Sequence, residues 1–233
     1  RWFDFGSFIF ASTPQIMTPG NHEYEGRTLD SHWNSQFTLP KNGPSELEGT
    51  CFFVDYENLR LISINSVADD ELRDKSGISL KSQEVWLDSI LSNNPKKWTI
   101  LTSHLPFYST KETRDNPHIR KHFQPIIEKH GVDMVLTGHD HTYGRGTASD
   151  NPNIKPSIVY VVSVGGPKFY QVGGDKKWIQ KSISDTQLYQ VIYIKDNVLS
   201  FKAYSASGKL LDELKLKKQE DGTNKLYELM PTQ

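Results

Sequence analysis

The chain has 233 residues, with hydrophobic residues at 36%, charged residues at 24% and a formal net charge of −1. That is enough material for one large domain or two small ones. The near-neutral charge gives no electrostatic reason to expect nucleic acid or an acidic membrane surface as partner, and no apolar run approaches the roughly 18 residues of a membrane helix. The single cysteine, Cys51, excludes an intramolecular disulfide and reads as a small buried apolar residue.

Taken in chain order, Arg1 to Ala11 reads as the end of a helix already under way, which suggests a processed or truncated N-terminus. Gln15 to Thr18 is expected to be a short strand ending at Pro19-Gly20. Glu25 to Ser45 is polar, punctuated by Gly and Pro, and reads as a long loop. Cys51 to Tyr56 and Leu59 to Asn65 are expected strands, joined by the turn Glu57-Asn58. Ser82 to Ser92 reads as a helix with an apolar stripe of Val85, Trp86 and Ile90, to which Leu87 and Leu91 can add. Trp98 to Thr102 is a strand of buried type.

Pro117 to His130 is the next helix, with Asn116 as N-cap, Pro117 in its first turn and Gly131 as its stop. Pro125 should kink or split it. Val132 to Thr137 is another buried-type strand. This strand–helix–strand alternation argues for an α/β domain. Beyond Gly146, Ile158–Val164, Gln187–Ile194, Val198–Tyr204 and Leu210–Leu216 read as an antiparallel meander, with Asp196-Asn197 as a hairpin turn. The expected organisation is an α/β part over 1–146, an antiparallel β part over 147–218 and a polar tail over 219–233.

Three short segments follow expected strands and carry metal-ligand chemistry: Gly20-Asn21-His22-Glu23, Ser103-His104 and Gly138-His139-Asp140-His141. Ligands at several strand ends can converge at the carboxyl edge of an α/β sheet. A glycine before Asn21 and before His139 lets the chain turn off its strand. His139 and His141 are two apart, so they can face one centre or two adjacent metals. Asn21 offers a neutral amide oxygen, and the histidines offer borderline nitrogen donors. By contrast, His32, His122 and His130 read as ordinary polar residues, the last two on a solvated helix face.

In this order the motifs resemble the calcineurin-like metallophosphoesterases. The longer runs Ser103-His104-Leu105-Pro106-Phe107-Tyr108 and Gly138-His139-Asp140-His141-Thr142-Tyr143-Gly144-Arg145 are most similar to the purple acid phosphatase branch. The resemblance implies two mixed β-sheets packed face to face and flanked by helices, an αββα sandwich that is N-terminally truncated here. It implies two metal ions, iron with zinc, manganese or a second iron, clamping a phosphate ester while a metal-bound hydroxide attacks phosphorus. Asn21, His104 and His139 match ligands of one metal, and His141 matches a ligand of the other. His22 matches a histidine that contacts phosphate or leaving group, with Glu23 orienting it. His118 and Tyr108 are weaker matches to substrate-contacting residues.

The branch's Gly-Asp-x-Gly and Gly-Asp-x-x-Tyr motifs, which would precede Gly20, are absent from the 233 residues. The expectation is therefore at most one metal in this chain, and impaired turnover. Two alternatives stand beside the binuclear phosphoesterase. One is a non-catalytic module keeping the fold and a weak mononuclear site; the other is a mononuclear three-histidine hydrolase using zinc. The resemblance also implies a small-molecule or peptide phosphate ester as substrate and a secreted or periplasmic location, and it leaves the oligomeric state open.

Overall fold

The computed structural model describes residues 2–26, 28–67, 78–151, 153, 157–173 and 176–229. Helix α1 (Trp2–Phe10) is followed by the short hairpin β1 (Tyr24–Glu25) and β2 (Thr28–Leu29), then by α2 (His32–Gln36). Strands β3 (Phe52–Tyr56) and β4 (Leu59–Ser63) pair antiparallel, with Glu57 in the turn at φ 46°. Helix α3 (Ile78–Ser92), β5 (Trp98–Ser103), α4 (Pro117–Lys129) and β6 (Met134–Thr137) complete two strand–helix–strand units. Strands β4, β5 and β6 run parallel to one another, as crossover connections of this length require.

Strands β7 (Tyr143–Thr147), β8 (Val159–Val162) and β9 (Ile179–Ile183) extend the same sheet, which has the order β3-β4-β5-β6-β8-β7-β9. Strand β8 is parallel to β6, while β7 is antiparallel to both β8 and β9. A second, four-stranded sheet is a plain antiparallel meander of β10 (Leu188–Lys195), β11 (Val198–Ser205), β12 (Leu210–Lys218) and β13 (Asn224–Glu228). The fold class is α/β with two packed sheets, as expected, but only the larger sheet is mixed.

The core has two layers because strand side chains alternate between faces. Ile62, Leu101, Val135, Tyr160 and Val162 meet α3 and α4 through Leu87, Leu91, Ile119, Phe123 and Ile127. The opposite face, with Ile100, Met134, Val159 and Val161, meets Leu199, Phe201, Leu214 and Leu216 of the small sheet. The two sheets are also bridged by charge. Arg145 on β7 makes paired hydrogen bonds to Asp212 on β12 (2.6 and 3.0 Å) and to Glu228 on β13 (2.8 and 2.7 Å), and Tyr143 donates to Asp212 at 2.6 Å.

Several expectations are corrected. Gln15–Thr18 is not a strand; it is tied to the sheet by Thr18 Oγ1, which lies 3.0 Å from Ser63 Oγ and 2.7 Å from Thr102 Oγ1. The run 25–45 is not structureless, since it holds β2 and α2, and Trp33 of α2 is buried with Leu39 and Phe52. The buried stripe of α3 is Leu80, Gln83, Leu87 and Leu91, at helical spacing, whereas Val85 is 65% exposed. Helix α4 runs unbroken through Pro125. Strand β8 (within the run Ile158–Val164) pairs in the large sheet, not the meander, so a division at 146 cuts through that sheet. Strands β7, β9 and β13 were not foreseen, and β13 lies in the run expected to be a tail. His122 and His130 face α3, paired with Glu84 and with Asp88 (2.7 Å).

Candidate metal centre

Parallel pairing of β5 with β6 sets Ser103 opposite Thr137, so the residues that follow, His104 and Gly138-His139, leave the same sheet edge side by side. Gly138 N donates to His104 O at 3.1 Å, carrying the ladder one step past the strands. Asn21 arrives from the amino-terminal side, at the start of a single 3-10 turn, Asn21–Glu23. Thr18 anchors the approach to this turn across the ends of β4 and β5. Glu23 closes the turn by accepting a hydrogen bond from Gly20 N at 2.7 Å.

Three donor atoms then meet. His104 Nε2 lies 2.7 Å from Asn21 Oδ1 and 2.9 Å from His139 Nδ1, and His139 Nδ1 lies 3.1 Å from Asn21 Oδ1. A triangle of this size is about one face of a coordination shell with ligand bonds of roughly 2.1 Å. Burial holds His104 down at about 3, and the positive charges of His139, His22, His141 and Arg114 add to the effect. Its imidazole is therefore neutral and its lone pair is available, as a ligand requires. The donor set of two imidazoles and an amide fits one metal ion. Among the described residues, no three His, Cys, Asp or Glu side chains come together; the third donor is the Asn21 amide, and no carboxylate joins it.

The glycines act differently from expectation. Gly20 is extended (φ −105°, ψ −178°), and a Cβ there would stand 2.7 Å from His104 Cε1 and Nδ1. It makes room for the ring rather than a turn. A Cβ on Gly138 would meet nothing within 4 Å. The turn off β6 is instead made by His139 and His141 themselves, with φ of 64° and 55°. Left-handed non-glycine residues cost about 1–3 kcal/mol each and persist only where their surroundings over-determine them.

Asp140 supplies that restraint. It is fully buried and accepts from Ser109 Oγ (2.6 Å), Thr110 N (2.8 Å), Thr110 Oγ1 (3.1 Å) and Arg114 Nη1 (2.5 Å). Burial would raise its carboxyl, but these bonds from Ser109, Arg114 and Thr110 outweigh it and hold the group below the usual carboxylate range. The segment 109–116 thus works as a clamp on the histidine loop, a role that its sequence did not signal.

His141 stands outside the triangle. Its Nδ1 lies 2.9 Å from Lys168 O, and its own carbonyl accepts from Tyr170 N at 2.8 Å. A hydrogen bond from Nδ1 fixes the tautomer that leaves the Nε2 lone pair open, the usual support of a ligating histidine. His22 is exposed and lines a cleft of about 470 Å³ with Thr18, Glu23, His32, Trp33 and Phe37. The run 25–45 therefore walls a cleft beside the centre. His118 lies in the first turn of α4 and is not among the residues that meet at the triangle. Tyr108 is turned the other way: its hydroxyl lies 3.0 Å from Gln124 and 3.1 Å from Asp150, and its ring packs against Tyr160 and Trp178.

The family model described as "Calcineurin-like phosphoesterase" matches residues 1–143. Purple acid phosphatase 21 of Arabidopsis thaliana is 26% identical over 157 residues, which is 62% of this chain and 34% of the relative. Purple acid phosphatase 3 of the same plant is 25% identical over 231 residues, covering 88% of this chain and 60% of the relative. The chain spans about a third of the length of the first curated relatives it matches. Among solved structures, purple acid phosphatase PPD1 from yellow lupin superposes with a TM-score of 0.57 at 19% identity, covering 74% of this chain and 33% of that one. GAP50, the anchor in the inner membrane complex of Plasmodium, also gives 0.57, at 16% identity, covering 70% of this chain and 52% of that one. These likenesses show the fold, and together with the matched family model over more than half of the sequence they place this chain in the calcineurin-like phosphoesterase family.

Proposed function

We propose that this chain contributes one side of the metal centre of a phosphoesterase that hydrolyses small-molecule or peptide phosphate esters, in a protein of the purple acid phosphatase branch. The observation that carries the reading is the closed triangle of Asn21, His104 and His139 at the sheet edge. These three residues would hold one ion, and His141, its tautomer set by Lys168 O, would hold a second. Bound metal supplies Lewis acidity toward a phosphoryl oxygen and lowers the pKa of water at neutral pH.

The remaining work belongs to the chain's own groups. His22, exposed and next to Asn21 in the chain, would contact the phosphate or hand a proton to the leaving oxygen. The clamp on Asp140 holds the left-handed histidine loop in one shape, so the donors do not have to reorganise on binding. Iron paired with zinc, manganese or iron, and an exported location, complete the reading. Among the described residues no helix is long and apolar enough to cross a membrane.

A second reading has one observation in its favour. A donor set without a carboxylate suits a single ion better than two, because adjacent cations need negative ligands to offset their repulsion. In that reading the chain is a non-catalytic module with one metal. Metal per chain by elemental mass spectrometry, together with release of p-nitrophenol from p-nitrophenyl phosphate, separates the two. Two metals with turnover establishes the phosphoesterase; one metal without turnover, on a preparation that includes any upstream segment, establishes the module.

A further inference from the structure

Beside His141 the loop 165–171 carries an exposed aromatic ring, Tyr170, with two cations close to it. The Tyr170 ring packs against His141, with centroids 5.4 Å apart. Lys111 Nζ stands 4.1 Å from the centre of that ring, and Lys168 Nζ stands 5.3 Å from it. Neither lysine has a carboxylate partner among the described residues. Their neighbour Arg114 is already committed, 2.5 Å from Asp140. The loop is pinned rather than free: Lys168 O meets the His141 ring at Nδ1, and Tyr170 N donates to the His141 carbonyl.

We propose that Lys111 and Lys168, presented around Tyr170, form an anion subsite adjoining the metal centre, which selects phosphate esters bearing a second phosphoryl group on the leaving side. The placement rests on the phosphoesterase reading; the anion binding itself does not. Two unneutralised ammonium groups held against one pinned ring form a preorganised pair, and an aromatic face keeps such cations oriented. A substrate with one phosphoryl group at the centre and another toward Tyr170 would meet both the donor triangle and the two lysines.

The test is binding of inorganic tripolyphosphate and of inorganic phosphate to the metal-free 233-residue chain, by calorimetry at low salt. Three proteins are compared: wild type, Lys111→Met with Lys168→Met, and a charge-matched control, Lys209→Met with Lys215→Met, just before and within β12 of the small sheet. Wild type should hold tripolyphosphate about tenfold more tightly than phosphate, since exposed charges contribute modestly. The Lys111/Lys168 variant should lose that tenfold while the control keeps it. No binding by wild type, equal affinity for both anions, or an equal loss in the control would each overturn the proposal. Hydrolysis of p-nitrophenyl phosphate, which carries no second anion, reports on the phosphoesterase reading separately.

Discussion

Replacing Gly20 by alanine is a stringent test of the triangle. The added Cβ would stand 2.7 Å from His104 Cε1 and Nδ1 and 3.0 Å from Glu23 Oε2. Ordinary contact begins near 3.4 Å, so the ring or the turn must shift by about 0.7 Å. The ring cannot simply retreat across the centre, because its Nε2 is already 2.7 Å from Asn21 Oδ1 and 2.9 Å from His139 Nδ1. Overpacking of this kind costs about 1–3 kcal/mol. A donor displaced by that much should weaken metal binding about 10- to 100-fold, the range seen when a ligand's support is removed. The assay is calorimetric titration of Zn²⁺, alongside thermal unfolding of the metal-free protein. Gly138→Ala is the internal control: its Cβ meets nothing, so affinity should stay within about twofold, with stability unchanged or raised by up to about 1 kcal/mol. Wild-type titration by Gly20→Ala, or an equal loss in Gly138→Ala, would refute the argument that Gly20 exists to admit the His104 ring.

Other outcomes are expected from the same geometry. His139→Ala should remove a metal and, in an active preparation, nearly all turnover; unchanged metal content would remove His139 from the ligand set. His22→Ala should lower turnover while metal content stays constant, and loss of metal would instead make His22 a ligand. Arg145→Met strips the counter-charge from buried Asp212 and should cost about 3–5 kcal/mol, read as a lower denaturant midpoint, whereas a change below about 1 kcal/mol would show that the bridge between the sheets is idle. His104 is held at about 3 against an ordinary value of 6.5. The unfolded chain therefore takes up this proton first, and the metal-free fold should lose stability as pH falls from about 6.5 toward 3, by at most about 1.4 kcal/mol per unit; a slope unchanged in His104→Asn would contradict this.

The sequence alone determined the candidate donor residues, their order and the strands that deliver two of them. That information is local: a buried-type run such as Trp98–Thr102 or Val132–Thr137 identifies a strand, and the residues just past it must leave at the same edge once the strands are parallel. The α/β class followed from the alternation of those runs with α3 and α4. Tertiary structure alone decided what depends on residues far apart in the chain. Asp140, inside the Gly138-His139-Asp140-His141 segment, is consumed by Ser109, Thr110 and Arg114 some 30 residues earlier. Strands β7, β9 and β13 are too polar or too short to announce themselves, and they exist because neighbours supply their hydrogen bonds and because Arg145 binds Asp212 and Glu228. Gly20 could be read as a turn glycine, but its real constraint is the His104 ring, 84 positions on, and such steric contacts appear only when distant segments are packed together.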